Sequence, residues 1–363
     1  RTEDIYAERV VSASRLAQSP LDAPNSTTVV TAQDIRLSGI TNIGELLRRA
    51  AGLEVMSLTT ADTEISIRGL NQRLSNKVLV LIDGRSVFLD FLGATLWTIL
   101  PIGVEDIERI EVLRGPQGTL YGRNSMTGAL KIVTREANGE TWAKGSVGYG
   151  SFDEITVSAG GGFALVEDAV GMTVSTQYRD QSDGWLENRA TGEDRGVREV
   201  FSLRGKMSYF GSDTFKATLS GYYSDDDNDG LTPVAVNSVT LENQTGGVRT
   251  VQSPNPSDGF TEQYGGSLDM EWEIGDVTLQ SVTAYIDVKD GFRFDLSGGV
   301  EVAPSTFVTL IDRTSVASSS QWSQELQLSG KSFDDRLDWI VGGFYFDEQA
   351  DQQIDDVIFF NAL

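Results

Sequence analysis

The chain has 363 residues and a formal charge of −24, from 29 basic and 53 acidic side chains, with no cysteine and no histidine. That acidity argues against a nucleic-acid partner, whose usual footprint is a basic patch. The missing residue types exclude disulfides and thiolate metal sites and remove the commonest general base and metal ligand, so an enzyme would have to work through carboxylates. No pair of acids can be placed together for such work, and the chain reads as a non-enzyme.

Taken in order, RTEDIYAERVVSASR at the start lacks a basic-then-apolar export signal, so an exported form is expected to have lost it already. TAQDI (Thr31–Ile35) predicts a short helical turn capped by Thr31. TNIGELLRRAAG (Thr41–Gly52) predicts a helix with Thr41 as N-cap, Ile43, Leu46 and Leu47 on one side, and Gly52 as stop. Strands are expected at EISIRG, KVLVLIDG, IERIEVLRG and ALKIVTR, with a turn at Asp83-Gly84. Val78–Ile82 is the densest apolar run and is strand-sized. No run of about 18 apolar residues occurs, so no transmembrane helix is expected.

After residue 139 both charge and period change. Residues 1–139 carry 15 basic and 16 acidic side chains; residues 140–363 carry 14 and 37. Such a step marks a domain boundary. In TFKATLSGYY, Phe215, Ala217, Leu219, Gly221 and Tyr223 share one face, opposite Thr214, Lys216, Thr218 and Ser220. YGGSLDMEWEI, FSLRGKMSY and QWSQELQLSG repeat the alternation. Nine strands are expected, near 141–149, 154–163, 169–180, 197–210, 214–225, 261–274, 277–290, 321–330 and 336–347. The links after the even-numbered strands are tight turns (LVED, GSD, GD, KSFDD), while those after the third, fifth and seventh are long and acidic. Alternating turns and long loops suit a membrane barrel, with lipid-facing Leu219, Leu268, Met270 and Leu328. A soluble β-sandwich also alternates apolar and polar residues, but its strands are shorter and its loops lack this two-sided asymmetry.

Residues 27–135 resemble the plug domain of TonB-dependent outer-membrane receptors, through STTVVTAQDI, IGELLRRAAGLEV, ISIRGL, KVLVLIDGRSV, IERIEVLRGPQGTLYG and GALKIVTR in that order. The resemblance implies an α+β plug domain (16–139) behind an N-terminal tail (1–15), then an antiparallel transmembrane β-barrel from 140 to 363. About nine strands are present of an expected twenty-two. The last segment, QADQQIDDVIFFNAL, is expected to begin an outer loop, and the sequence to be part of a longer protein or to receive its missing strands from elsewhere. Glycines in the connector of IERIEVLRGPQGTLYGRNSMTGALKIVTR are expected to let the plug backbone approach the barrel wall closely.

By the same resemblance, ERVVSAS holds a TonB box, with Glu8, Val10, Val11 and Ser12 pairing with a TonB-type energy-coupling protein by strand addition. On residues alone it is a tail with two valines. Arg68 and Arg114 match two family arginines that pair with barrel glutamates, expected in strands beyond this sequence. The implied function is uptake of a scarce bulky small-molecule solute across the outer membrane of a Gram-negative bacterium, with lipid around the barrel. A ferric siderophore leads; cobalamin or an oligosaccharide follows, and a non-transporting scaffold is the alternative. Solute-binding apices are expected at Leu58–Asp62, Asn71–Asn76 and Phe88–Trp97, with Asp62, Arg73, Phe88, Asp90, Phe91 and Trp97 as contacts; the aromatics could equally fill the plug–barrel junction. No cofactor is required. Calcium is the one candidate, because Asp225, Asp227 and Asp229 alternate before Gly230 like half a calcium loop, though Val236 stands where a bidentate acid belongs; a solvated acidic loop tip is the other reading.

Overall fold

The computed structural model describes residues 26–359 apart from 60–61, 70, 98–99, 237–239, 241, 248 and 335. The first part comprises β1 (Ser26–Thr31), α1 (Ala32–Ser38), α2 (Ile43–Leu47), β2 (Leu53–Ser57), β3 (Thr63–Ile67), β4 (Val78–Ile82), β5 (Arg85–Ser86), β6 (Ile107–Arg114), α3 (Gly118–Tyr121) and β7 (Gly128–Thr134). Thr31 caps α1 through a reciprocal box. Its Oγ1 accepts the Asp34 N–H at 3.2 Å, and its own N–H donates to Asp34 Oδ2 at 3.0 Å. The cap of α2 is Asn42 rather than Thr41. The Asn42 backbone is extended and its Oδ1 reaches the Glu45 N–H at 3.2 Å, which shifts the helix start by one residue.

Five strands form the sheet β1-β6-β7-β4-β5, in which β4 and β7 run parallel, and β2 pairs with β3 as a separate hairpin. The apolar run Val78–Ile82 is buried on both faces, as a sheet strand covered from both sides must be. Val78, Val80 and Ile82 pack into the main core with Leu46, Leu47 and Ile110, while Leu79 and Leu81 join Ala129 on the opposite face.

The remainder comprises β8 (Trp142–Tyr149), β9 (Glu154–Val166), β10 (Val170–Gln181), β11 (Leu186–Asn188), β12 (Asp194–Arg195), β13 (Arg198–Tyr209), β14 (Phe215–Asn228), β15 (Thr250–Val251), β16 (Asp258–Ile274), β17 (Val277–Asp295), β18 (Val300–Ala303), β19 (Thr306–Val308), β20 (Ile311–Ser332) and β21 (Leu337–Ile358). Nine of these make one sheet, β21-β20-β17-β16-β14-β13-β10-β9-β8, with every neighbouring pair antiparallel. All nine expected long strands are therefore present, in a single curved wall around the plug instead of two stacked sheets.

The outward face explains the choice. Leu219 lies opposite Leu268, and Leu279 opposite Leu328. Leu219 and Leu328 remain exposed, with Leu268 and Met270 half-buried on the same face. Aromatic rows bracket this aliphatic band. Near the tight turns, Tyr209, Phe215 and Trp272 stand with ring centroids 6.2 and 6.5 Å apart. Eight residues up β14, Tyr223 faces Tyr264 in register, and the row continues through Tyr285, Trp322 and Tyr345. Eight residues of strand rise about 26 Å, and a tilt of about 40° leaves a band about 20 Å tall, close to the girdle spacing of outer-membrane barrels.

One expectation for the wall is corrected here. The last strand does not end near residue 347: β21 continues to Ile358, paired with β20 back to Ile311, so most of QADQQIDDVIFFNAL is strand. The long links also carry structure of their own. β11, β12 and β15 form a small sheet that joins two of them, with Asn188 Nδ2 donating to the Ser253 carbonyl at 2.8 Å. Gln252 Nε2 ties on the third by donating to the Gly299 carbonyl at 2.7 Å.

Candidate functional site

A buried ionic cluster joins the plug to the wall. The Asp83-Gly84 turn between β4 and β5 projects the Asp83 carboxylate onto the inner face of β13, where residues two apart point the same way. Arg204 Nη2 donates to Asp83 Oδ2 at 2.6 Å and Lys206 Nζ lies 3.0 Å away. The Thr134 N–H and hydroxyl each donate to Asp83 at 2.8 Å. Burial alone would raise the Asp83 pKa, but Lys206, Arg204 and the Thr134 N–H overcome it and hold the carboxyl at about 2. Lys206 also donates to the carbonyls of Thr134 and Arg135, at 3.4 and 3.3 Å.

A second carboxylate, Asp106, lies 3.5 Å from Arg204 Nε without a hydrogen bond between those two atoms. Burial pushes its pKa up despite the attraction of Arg204 and Lys206. Nearby, Arg85 Nη1 donates to the Tyr222 hydroxyl at 3.0 Å, and its guanidinium lies 4.7 Å from the centre of that ring.

The expected apices are placed as follows. Asp62 accepts Arg73 Nε at 2.9 Å, joining two apical segments. Buried Glu64 fixes the second segment by accepting the Leu74 and Ser75 N–H groups at 2.5 and 3.1 Å; its pKa is raised by burial, against the pull of those two bonds. Asp90 accepts Arg123 Nη2 at 2.6 Å, and Arg123 stands 5.3 Å over the Phe346 ring of the wall. Phe88 is buried and lines a cavity between plug and wall, while Phe91 packs on Leu89, Ile286 and Val288 at the junction. Trp97 is not displayed at an apex: it is buried in the plug core with Leu100 and Ile102, where its apolar area is removed from water.

Arg114 is buried and donates to the Ala51 carbonyl and the Thr28 hydroxyl, each at 2.7 Å. Burial first, then neighbouring Arg68, lowers its pKa. Among the described residues no carboxylate lies within ion-pair distance of Arg68 or Arg114.

The three aspartates of the calcium expectation do not converge. Asp225 and Asp227 sit within β14, where alternate side chains share a face several ångströms apart, and inward-facing Asp226 pairs with Arg198. Asp229 accepts the Gly196 and Val197 N–H groups at 2.6 and 3.1 Å. Among the described residues no group of three such side chains could hold a metal. Glu8, Val10, Val11 and Ser12 lie outside the described residues.

Asp83, Arg204, Lys206 and Arg123 were absent from the sequence-based candidates. A signal for two of them existed: FSLRGKMSY places Arg204 and Lys206 together on the polar face of a membrane strand, where two inward cations require a partner.

Residues 19–129 match the family model described as TonB-dependent Receptor Plug Domain. The chain is 31% identical over 232 residues to the Vitamin B12 transporter BtuB of Photobacterium profundum, covering 61% of this chain and 36% of the transporter. It is 23% identical over 361 residues to BtuB of Vibrio cholerae serotype O1, covering 91% and 57%. The ferric preacinetobactin receptor BauA from Acinetobacter baumannii superposes with a TM-score of 0.78 at 18% identity, over 98% of this chain and 51% of that one. The ferric yersiniabactin uptake receptor FyuA from Yersinia pestis gives 0.73 at 18%, over 92% and 50%. The chain thus spans between about a third and three fifths of these relatives. Six plug segments in order, the matched plug model and a girdled antiparallel wall around that plug give the chain a TonB-dependent receptor plug domain within part of a barrel of the same fold as these receptors.

Proposed function

We propose that the protein is an active transporter of a bulky, scarce solute across the outer membrane of a Gram-negative bacterium, energised by a TonB-type partner. The observation that carries this reading is the docking of Asp83 on Arg204 and Lys206. A plug held inside a lipid-facing wall by a compact ionic cluster, the Arg85–Tyr222 hydrogen bond and one small apolar contact, instead of a continuous apolar core, is a part that can be rearranged without unfolding the barrel. Solute bound at the outer side favours one plug arrangement over the other and so signals occupancy to the periplasm.

A ferric siderophore is the solute proposed first, consistent with the two ferric-siderophore receptors of like fold. Cobalamin is the second reading, favoured by the sequence likeness to vitamin B12 transporters. In this reading Arg68 and Arg114 take carboxylates from further barrel strands, and the segment around Val10 and Val11 lends a strand edge to the energy-coupling partner.

Val11→Pro tests the coupling. Proline removes one backbone N–H and fixes φ, which a paired strand tolerates poorly. Cells carrying the full-length variant should bind labelled solute at the surface like the parent and lose energy-dependent accumulation. Accumulation at the parental rate would remove the box assignment and favour a scaffold.

A further inference from the structure

The segment Asn71–Asn76, expected as an apex, is tied down almost residue by residue. The Asn71 side-chain amide donates to Glu54 Oε2, and Arg73 Nε donates to Asp62 Oδ2 at 2.9 Å. Glu64, buried in β3, takes the next two N–H groups of the chain, one on each carboxylate oxygen: Leu74 on Oε1 at 2.5 Å and Ser75 on Oε2 at 3.1 Å. A carboxylate that spends both oxygens on consecutive backbone donors fixes the peptide units on either side of one α-carbon, here that of Leu74.

Leu74 requires such fixing. Its φ is +57°, in the left-handed region that a bulky side chain adopts at a cost. A backbone of this kind persists where its surroundings over-determine it, and an observed outlier of this kind points to a functional site. The neighbour that the bend carries is Arg73. Its side chain is 51% exposed, and apart from the bond from Nε to Asp62 no hydrogen bond reaches its guanidinium among the described residues. A guanidinium gripped at Nε keeps its two terminal nitrogens in one place, and that fork of N–H groups matches an oxyanion.

We propose that Glu64 is a positioning residue for solute recognition: by fixing the Leu74 and Ser75 N–H groups it sets the backbone from which Arg73, steadied by Asp62, meets an oxyanion of the solute. The inference rests on the transport reading above and names a recognition chemistry within it. A chelating oxygen of a ferric siderophore and the phosphodiester of cobalamin both supply that oxyanion. Glu64 is buried and acts through Arg73.

Equilibrium binding to outer membranes that contain the full-length receptor tests this. The probes are radiolabelled ferric siderophores of catecholate, hydroxamate and carboxylate type, and radiolabelled cyanocobalamin; the probe that binds the parent saturably identifies the source of the oxyanion. For that probe, Arg73→Ala should weaken binding about thirtyfold and Glu64→Gln about tenfold, with the number of sites unchanged. Glutamine keeps the shape of Glu64 but offers one acceptor oxygen to two N–H groups and no charge. Because Glu64 acts through Arg73, adding Glu64→Gln to Arg73→Ala should weaken binding no further, whereas a merely structural role would repeat its full loss there. Asp62→Asn, which leaves Glu64 in place, should weaken binding about threefold and likewise lose its effect once Arg73 is Ala. Amide exchange at Leu74 and Ser75 should quicken in Glu64→Gln and keep the parental rate in Arg73→Ala. Parental affinity in Glu64→Gln, a full tenfold loss on top of Arg73→Ala, fewer sites at parental affinity, or no saturable binding of any probe by the parent would overturn the inference. Binding that follows the predicted pattern but never becomes energised accumulation would leave the positioning role in place and remove the transport reading.

Discussion

Replacing Asp83 with Asn is expected to loosen the plug by about 3 kcal/mol, because Arg204 and Lys206 would then be buried with their shared counter-charge gone and only Asp106 nearby. Urea unfolding of the plug inside the purified full-length receptor measures this, since the barrel stays folded where the plug does not. Amide exchange at residues 83–84 and 134–135 localises it. The wild-type plug should also weaken with acid in a defined window. The Asp83 carboxyl is held at about 2, below its ordinary value of 3.8, so the stability it contributes is complete above pH ~4 and is lost as pH falls through ~2. The shift corresponds to about 2 kcal/mol. Asp106, raised by burial, acts in the opposite direction and offsets part of that loss. Asp83→Asn should abolish the Asp83 share of the acid limb. An unchanged urea midpoint, or an acid limb identical in both proteins, would show that the cluster does not hold the plug.

Gly128→Ala is expected to cost about 3 kcal/mol or to prevent the plug from folding. A Cβ there would lie 2.2 Å from the Leu113 carbonyl oxygen and 2.5 Å from Ile67 Cδ1. The first is backbone of the paired strand β6 and cannot step aside. Gly118→Ala serves as the control, because nothing stands within 4 Å of its added Cβ and its φ is not positive. Urea midpoints of the two variants should separate clearly; coincident midpoints would refute the close-approach argument. Gly128 also corrects the expectation for the glycine-rich connector. Its tightest approach is to the plug's own strand, whereas contact with the barrel wall occurs at Gly103, outside that connector.

The nine long strands were legible because lipid on one face and lumen on the other impose a period of two on every one of them. That signal fades above the membrane, where both faces are wet. Ser318–Ser320 and most of the run from Gln349 to Ile358 therefore read as loop, although β20 and β21 pair through both. The same loss of contrast made Asp225, Asp227 and Asp229 look like a calcium loop when two of them lie in a strand. In the plug, α1, β3, β4, β6 and β7 were readable from caps and apolar runs, whereas β1, β2, β5 and α3 were not among the expected elements and α2 ends at Leu47, well before the expected stop at Gly52.

The docking site was less legible, for a different reason. Asp-Gly is sufficient explanation for a turn, and the partner of Asp83 lies 121 residues away. Nothing local distinguishes a turn that merely reverses the chain from one that also presents a buried carboxylate. Phe88 and Phe91 pointed to an aromatic site; Phe91 packs at the plug–wall junction, while Phe88 lines the cavity beside it.

The most direct measurement is accumulation of labelled solute by cells carrying the full-length receptor, compared with and without a proton-motive force. Radiolabelled ferric siderophores of several chelating types and radiolabelled cyanocobalamin are the probes, each competed with its unlabelled form. The account predicts that one probe binds saturably in both conditions and accumulates only when the membrane is energised. Equal accumulation in the two conditions, or saturable binding that never leads to accumulation, would contradict it.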